Sequence, residues 1–188
     1  EKTANKIYDE MTDFAKYAFN KSHAAAYAVV SYQTAWLKYY YPVEYMAALM
    51  TSVIDNPGKV AEYIYSCRQM GIKILPPDIN HGYSSFSVDN GSIRYGLAAI
   101  KSIGRPVIKE IVAERKANGE FKNLKDFIER MSGKDINKRT IENFIKSGAF
   151  DELGGTRKQF MVIYVQILDQ VNREKKNSMT GQMSLFDI

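Results

Sequence analysis

The sequence predicts a mainly α-helical protein with one small β-hairpin, and three observations support this fold class. Apolar residues recur at spacings of three and four along most of the 188 residues, as one face of a packed helix requires. Residues Asp89–Ser92 are typical of a tight turn and separate two short segments that suit paired strands. Residues 177–188 have no helical period and predict a flexible carboxyl-terminal tail.

The composition is that of an ordinary globular protein, with 45% hydrophobic and 25% charged residues, which excludes a fibrous chain. No apolar run approaches the roughly 18 residues of a membrane-spanning helix, and the polar start is no signal sequence. We therefore expect a cytoplasmic protein without a membrane partner. Cys67, His23 and His81 are too few for a zinc cluster, so we expect no bound metal. Because the chain starts at Glu1 within helix-forming sequence, we expect it to be part of a longer protein.

Four helices are predicted in the first part of the chain. They cover residues 2–18, 23–40, 43–52 and 59–70. Ser22 can cap the second helix, Pro42 suits the start of the third, and Gly71 suits the end of the fourth. The second helix is apolar nearly all round, so we expect it to be buried on most sides.

A connector and a second group of helices follow. Pro76 and Pro77 exclude a helix over residues 72–80 and predict an extended connector that marks a domain boundary. The hairpin strands are predicted at 86–88 and 93–95. The later helices are predicted at residues 97–101, 106–118, 123–131, 138–146 and 156–176. Two interruptions, at 101–106 and 146–151, each separate a short helix from another helix and resemble a repeat.

The formal net charge of +5 comes entirely from the second half of the chain. Residues 1–96 carry nine basic and nine acidic residues, whereas residues 97–188 carry 17 basic and 12 acidic residues. The second half is therefore the better candidate for binding nucleic acid. An excess of this size is also found on solvated surfaces, so the motifs must decide.

The first interruption has the features of a helix-hairpin-helix unit. Such units bind nucleic-acid backbones through main-chain N–H groups beside a helix amino terminus. Gly104 suits the hairpin, and Ile103 belongs to the apolar residues that pack the two helices together. Ser102 stands where the motif usually has its first glycine, and a positive φ angle is unfavourable for serine. The nearby basic residues are Lys101, Arg105 and Lys109.

Two alternatives remain open for these interruptions. Gly104 is either part of a DNA-binding hairpin or only a cap between two packed helices. The second interruption, around Ser147 and Gly148, is a weaker match, and it either contacts DNA too or serves as a structural partner of the first. The DNA-binding reading predicts a tandem helix-hairpin-helix region that binds duplex DNA without sequence preference.

A second candidate site lies at the predicted start of the second helix. Free N–H groups, the Lys21 ammonium, the Ser22 hydroxyl and the His23 imidazole can converge there on a phosphate, and a triphosphate would suit the site. The structural alternative is that Ser22 only caps the helix while the other two side chains are solvated or bonded to neighbours. Trp36 and the Tyr39–Tyr41 run are interpreted as packing and not as a base-stacking surface.

The predicted tail contains a short apolar pair in polar surroundings. Its motif consists of Gln182, Met183, Ser184, Leu185 and Phe186. Leu185 and Phe186 are expected to anchor in a pocket of another protein, with Gln182 setting the orientation through hydrogen bonds. The alternative is that this pair folds back onto its own domain.

A family resemblance covers essentially the whole chain. The segment FNKSHAAAYAVVSYQTAWLK, residues 19–38, resembles the fingers-domain signature of the bacterial replicative polymerases of the C family, the DNA polymerase III alpha subunits. Residues 74–80, 95–101 and 147–151 resemble later segments of that family in the same order. Residues 182–186 resemble the peptide with which that family docks into the sliding clamp.

The resemblance implies three parts with separate roles. Residues 1–80 would be the carboxyl-terminal part of the polymerase fingers, and residues 81–176 the β-hairpin with the tandem helix-hairpin-helix region that binds DNA. Residues 177–188 would be the flexible tail with the clamp-binding peptide. In the fingers, the resemblance implies a role near the triphosphate of the incoming nucleotide for Lys21, Ser22 and His23, and a position near the nascent base pair for Tyr27.

The resemblance also implies an activity, a cofactor and partners. The family is a DNA-directed DNA polymerase, a nucleotidyltransferase of chromosomal replication, whose palm carboxylates hold Mg²⁺. That palm is missing from this sequence, so we expect neither catalytic residues nor a bound cofactor, and no primer extension by this chain alone. The expected partners are primer-template duplex DNA, the incoming dNTP, the sliding clamp (beta subunit) and other replisome subunits, at nucleoid replication forks. The alternative function is a clamp-interaction module whose helix-hairpin-helix units are only structural.

Overall fold

A computed structural model describes residues 2–16, 21–134 and 136–180. The chain forms two compact units, residues 1–42 and 43–188, by the contacts within each. The division into functional parts at residue 80 concerns roles and not contacts, so it stays a prediction. Among the described helices, none is both long and apolar enough to cross a membrane.

The first unit contains two helices at the places where the sequence predicts them. Helix α1 spans Lys2–Lys16, and helix α2 spans Lys21–Tyr40. Because α2 begins at Lys21, Ser22 lies inside its first turn and not at the cap position where the sequence analysis placed it. The predicted end of α1, up to Ala18, lies outside the described residues.

The prediction that α2 is buried on most sides is wrong. None of its twenty residues is buried, and the side chains of Tyr27, Tyr32 and Trp36 are 60%, 70% and 41% exposed. Its aromatic residues instead pack along the helix, with the Trp36 and Tyr40 ring centroids 4.8 Å apart. The apolar composition of a helix shows that burial would be favourable, but it does not supply the surface that covers the helix.

The second unit contains most of the secondary structure. Its described helices are α3 (Pro42–Ser52), α4 (Pro57–Gln69), α5 (Arg105–Asn118), α6 (Leu124–Met131), α7 (Lys138–Ser147) and α8 (Arg157–Thr180). These helices confirm the predicted elements, with ends that shift by at most four residues. Gly71 follows α4 with φ of +71°, as a carboxyl-cap glycine does.

Two elements differ from their predictions. Residues 97–101 were expected to form an α-helix, but only a short 3-10 helix forms over Leu97–Ala99, because Ile100 is extended and Ser102 has a positive φ. The flexible tail was expected from Asn177, yet α8 continues to Thr180. A long helix extends through polar residues because elongation, unlike nucleation, costs little. The motif at residues 182–186 lies outside the described residues.

The small sheet has three strands, one more than the sequence predicts. The hairpin of β2 (Ser87–Asp89) and β3 (Ser92–Arg94) is confirmed, with positive φ angles at both central turn residues. Strand β1 (Ile74–Leu75) lies in the predicted connector and pairs with β3 in parallel. A strand of two residues carries no periodicity, so only its pairing across some twenty residues reveals it.

Two hydrophobic cores hold the second unit together. The smaller core joins α3 and α4 to the sheet and includes Met50, Cys67 and Ile93, all with no exposed surface. The larger core joins α5 to α8 around phenylalanines that meet edge to face, with the ring centroids of Phe127 and Phe150 4.9 Å apart. The turn before α5 is therefore anchored to a well-packed helical platform.

A cluster of mostly buried charged side chains holds α5 against α6. The Glu114 carboxylate of α5 accepts hydrogen bonds from Lys134 at 2.6 Å, Asn118 at 2.7 Å and Arg130 at 3.2 Å. These donors, Lys134 foremost and then Asn118, lower the pKa of Glu114 to about 2. Arg130 also lies over the ring of Phe121, which ties the cluster to the larger core.

Candidate nucleic-acid interface

The turn that leads into α5 is held in a strained conformation. Ser102, which stands where the usual motif has its first glycine, has φ of +63°, in the left-handed region that favours glycine. Ile103, the next residue, is buried and donates its N–H to the carbonyl of Ile100 at 3.2 Å. Burial of Ile103 in the larger core keeps the turn in this conformation despite the strain at Ser102.

We expect Ser102→Gly to stabilise the chain. Glycine removes a left-handed strain of about 1 kcal/mol, partly offset by the greater freedom of glycine in the unfolded state. Chemical denaturation of the chain should show a rise in the unfolding free energy, whereas Ser102→Ala, which keeps the strain, should give no rise. A lower stability of Ser102→Gly than of Ser102→Ala would contradict the strain at this position.

The amino terminus of α5 differs from those of α4, α6 and α7 because, among the described residues, no side chain caps it. Its N-cap residue is Gly104, and the first intrahelical bond runs from the Ile108 N–H to the Gly104 carbonyl at 3.3 Å. The N–H groups of Arg105 and Val107 precede that bond and have no intrahelical partner. Asparagine side chains cap three other helices, at Asn56, Asn123 and Asn137. The first N–H groups of α5 therefore have no side-chain acceptor at their N-cap residue, which is a glycine.

None of the residues that the structure describes requires glycine at position 104. Gly104 has φ of −76°, which any residue adopts, and an added Cβ would meet only the Pro106 ring, at an ordinary 3.6 Å. At Gly96, by contrast, a Cβ would lie 2.8 Å from the Ser85 carbonyl carbon. A glycine that packing does not require lets a ligand approach the backbone closely. Gly104 is therefore suited to an external partner.

Positive charge surrounds this turn on the exposed side. Lys101, Arg105 and Lys109 are all exposed, as the sequence analysis requires of phosphate contacts. Arg105 lies 3.6 Å from the carboxylate of Asp55, and both side chains are well exposed, so this ion pair is weak and can be exchanged for a phosphate.

Helix α7 supplies side chains to the same turn, and two of them, Asn143 and Arg139, are not predicted from the sequence. Asn143 donates its side-chain amide to the Lys101 carbonyl at 3.0 Å, and Arg139 donates to the Ser102 hydroxyl at 3.4 Å. Ser147 lines one groove together with Lys101. Arg139, Asn143 and Ser147 are spaced four apart and so share a face of α7. That spacing is visible in the sequence, but only the fold shows which turn the face meets.

The second turn, after α7, uses its N–H groups within the fold. Gly148 is left-handed, and its N–H donates to Ile145 while that of Ala149 donates to Phe144. The Arg157 guanidinium packs against Gly148 and binds the Asp151 carboxylate at 2.6 Å. This geometry suits a structural partner of the first turn. The DNA contact of Ser147 and Gly148 stays a prediction.

The candidate nucleotide residues share the start of α2. Lys21, Ser22 and His23 occupy its first turn, and all three are exposed. The His23 ring lies 4.3 Å from the ring of Tyr27, one turn later, so the helix brings the four predicted residues together.

The described residues contain no group of three or more His, Cys, Asp or Glu side chains arranged to hold a metal ion. The absence of a bound cofactor stays a prediction.

Comparisons with known proteins agree with this geometry. The helix-hairpin-helix motif family matches residues 71–160, which include both turns and helices α5 to α7. The chain is 46% identical to the DNA polymerase III subunit alpha of Vibrio cholerae over 186 residues, 98% of this chain and 16% of that protein. The same protein of Escherichia coli K12 gives the same identity and coverage, and that of Mycobacterium tuberculosis is 43% identical over 96% of this chain and 15% of its own length. The chain, which spans about a sixth of these relatives, thus belongs to the family of bacterial DNA polymerase III alpha subunits.

Proposed function

We propose that this chain is a part of a replicative DNA polymerase that holds duplex DNA. Its turn of residues 101–105 would bind the phosphates of the DNA backbone. The observation that carries this proposal is the uncapped, glycine-led first turn of α5 within the helix-hairpin-helix region. Open N–H groups at a helix start attract phosphate, and the helix dipole adds to that attraction. The exposed Lys101, Arg105 and Lys109 supply the matching charge.

The proposed contact reads the DNA backbone and not its bases. The turn offers main-chain N–H groups and flexible cations, which bind phosphate oxygens that are the same in every sequence. Ile103, at the centre of the turn, is buried and holds the turn in place. Such a contact suits a polymerase, because a replicative enzyme must hold every sequence that it copies.

Two further roles complete the proposal. The first turn of α2, with Lys21, Ser22 and His23, binds the triphosphate of an incoming dNTP, and Tyr27 stands near the nascent base pair. The motif at residues 182–186 tethers the chain to the sliding clamp. Both roles are supported by the family to which the chain belongs. Catalysis would need carboxylates outside this chain, so we expect no primer extension by the chain alone.

A salt titration tests the DNA contact. The affinity of the 188-residue chain for two labelled duplexes of unrelated sequence is measured by fluorescence anisotropy between about 50 and 200 mM salt. We expect both duplexes to bind alike, with log affinity falling linearly against log salt by about 0.9 for each phosphate contacted. Tight binding that persists unchanged into high salt would show that phosphate contacts do not carry the affinity.

The alternative function, a clamp-interaction module with purely structural hairpins, has one specific observation in its favour. The N–H groups of the second turn, at Gly148 and Ala149, are satisfied inside the fold. If both turns were structural, the chain would bind the clamp but show no salt-dependent affinity for DNA. The same titration therefore separates the two functions.

A further inference from the structure

We propose that Arg139 of α7 binds the same DNA backbone phosphate as the first turn of α5, so that the phosphate site is built from two helices. This inference rests on the proposed function and names a further binding residue for it. The exposed Arg139 side chain reaches the turn across 37 residues of sequence and donates to the Ser102 hydroxyl at 3.4 Å.

The guanidinium of Arg139 keeps most of its capacity for a ligand. It has five N–H donors, and the contact with Ser102 is long and so weak. Among the residues that the structure describes, no carboxylate lies within ion-pair distance of Arg139, whereas Arg94 and Arg157 are each bound to an aspartate at 2.7 and 2.6 Å. A planar guanidinium with open donors matches two phosphate oxygens at once.

The contact with Ser102 places this charge at the turn that leads into α5. Arg139 contacts Ser102, which is two residues before the N-cap residue Gly104. One turn further along α7, Asn143 holds the Lys101 carbonyl at 3.0 Å and so fixes α7 against the turn. Asn143 is a positioning residue, while Arg139 supplies the charge that touches the phosphate.

Salt dependence measures the contact directly. We expect Arg139→Gln to make the slope of log affinity against log salt shallower by about 0.9, the loss of one phosphate contact. Arg139→Lys keeps the charge and should keep the slope. Asn143→Ala should lower the affinity without changing the slope, because it removes no charge. Unfolding of each variant by denaturant shows that it is folded.

Arg68→Gln is the matched control, since Arg68 is an exposed arginine on α4 outside the turn and α7. It should leave the slope unchanged. A slope for Arg139→Gln equal to that of the unmodified chain, or an equal loss for Arg68→Gln, would overturn the assignment of Arg139. If the unmodified chain itself shows no salt-dependent DNA binding, the proposed function fails. This outcome differs from a failure of the Arg139 assignment alone, in which the unmodified chain still binds DNA.

Discussion

Replacing Lys101, Arg105 and Lys109 together by glutamate is expected to lower the affinity for duplex DNA by on the order of a hundredfold or more. The change turns three side chains that would attract DNA phosphates into side chains that repel them. These side chains surround the open N–H groups of α5, which would bind phosphate as well. All three side chains are exposed, so the fold should survive the change. Fluorescence anisotropy with a labelled duplex at about 50 mM salt measures the loss.

A matched triple variant separates this local effect from a change in net charge. Lys116, Lys122 and Lys158 are also exposed and lie outside the turn, and their replacement by glutamate changes the formal charge by the same amount. We expect this control to retain most of the affinity. Equal losses in both variants would mean that the chain attracts DNA only by its overall charge. An unchanged affinity in the first variant would favour the clamp-interaction module.

Replacing Leu185 and Phe186 by alanine is expected to reduce binding to the sliding clamp by at least about a hundredfold, since two buried apolar anchors carry most of the energy of such a contact. Calorimetric titration of the chain into purified clamp gives the affinity directly. The double variant should keep its DNA affinity, because the proposed phosphate site lies at residues 101–105.

The position at which α8 ends provides a deletion variant and a control for the clamp experiment. Because α8 reaches Thr180, deletion of residues 181–188 removes the predicted motif and leaves the described helix whole. This deletion should abolish clamp binding as the double variant does, whereas Ser178→Ala with Thr180→Ala should not. Undiminished binding by the deleted chain would place the clamp contact elsewhere.

The sequence predicts the helices well because their signals are local. Periodic apolar residues and end signals such as Pro42 and Gly71 mark the helix positions before any packing is known. Features that depend on distant residues were missed or wrong. Strand β1 needs its partner β3 to exist, and the exposure of α2 depends on whether a covering surface is present.

The candidate site divides in the same way. The sequence marks Ser102 as a departure from the usual glycine of the motif, and the structure shows that this serine takes the positive φ angle all the same. Arg139 and Asn143 have no motif of their own, and they reach the turn only because α7 packs against it. The two turns also look alike in sequence, yet only the hydrogen bonds of Gly148 show that the second is satisfied internally.

The bare glycine at the start of α5 represents a compromise between stability and function. An asparagine at position 104, like those that cap three other helices, would stabilise the free chain by roughly a few tenths of a kcal/mol. The free chain lacks that stability. A ligand that accepts hydrogen bonds from the open N–H groups supplies it, because a ligand that binds only the folded state stabilises that state. Saturating DNA should therefore protect α5 against amide hydrogen exchange, with the strongest protection in its first turn. The change in amide hydrogen exchange at this helix end would thus report directly on the binding of its partner.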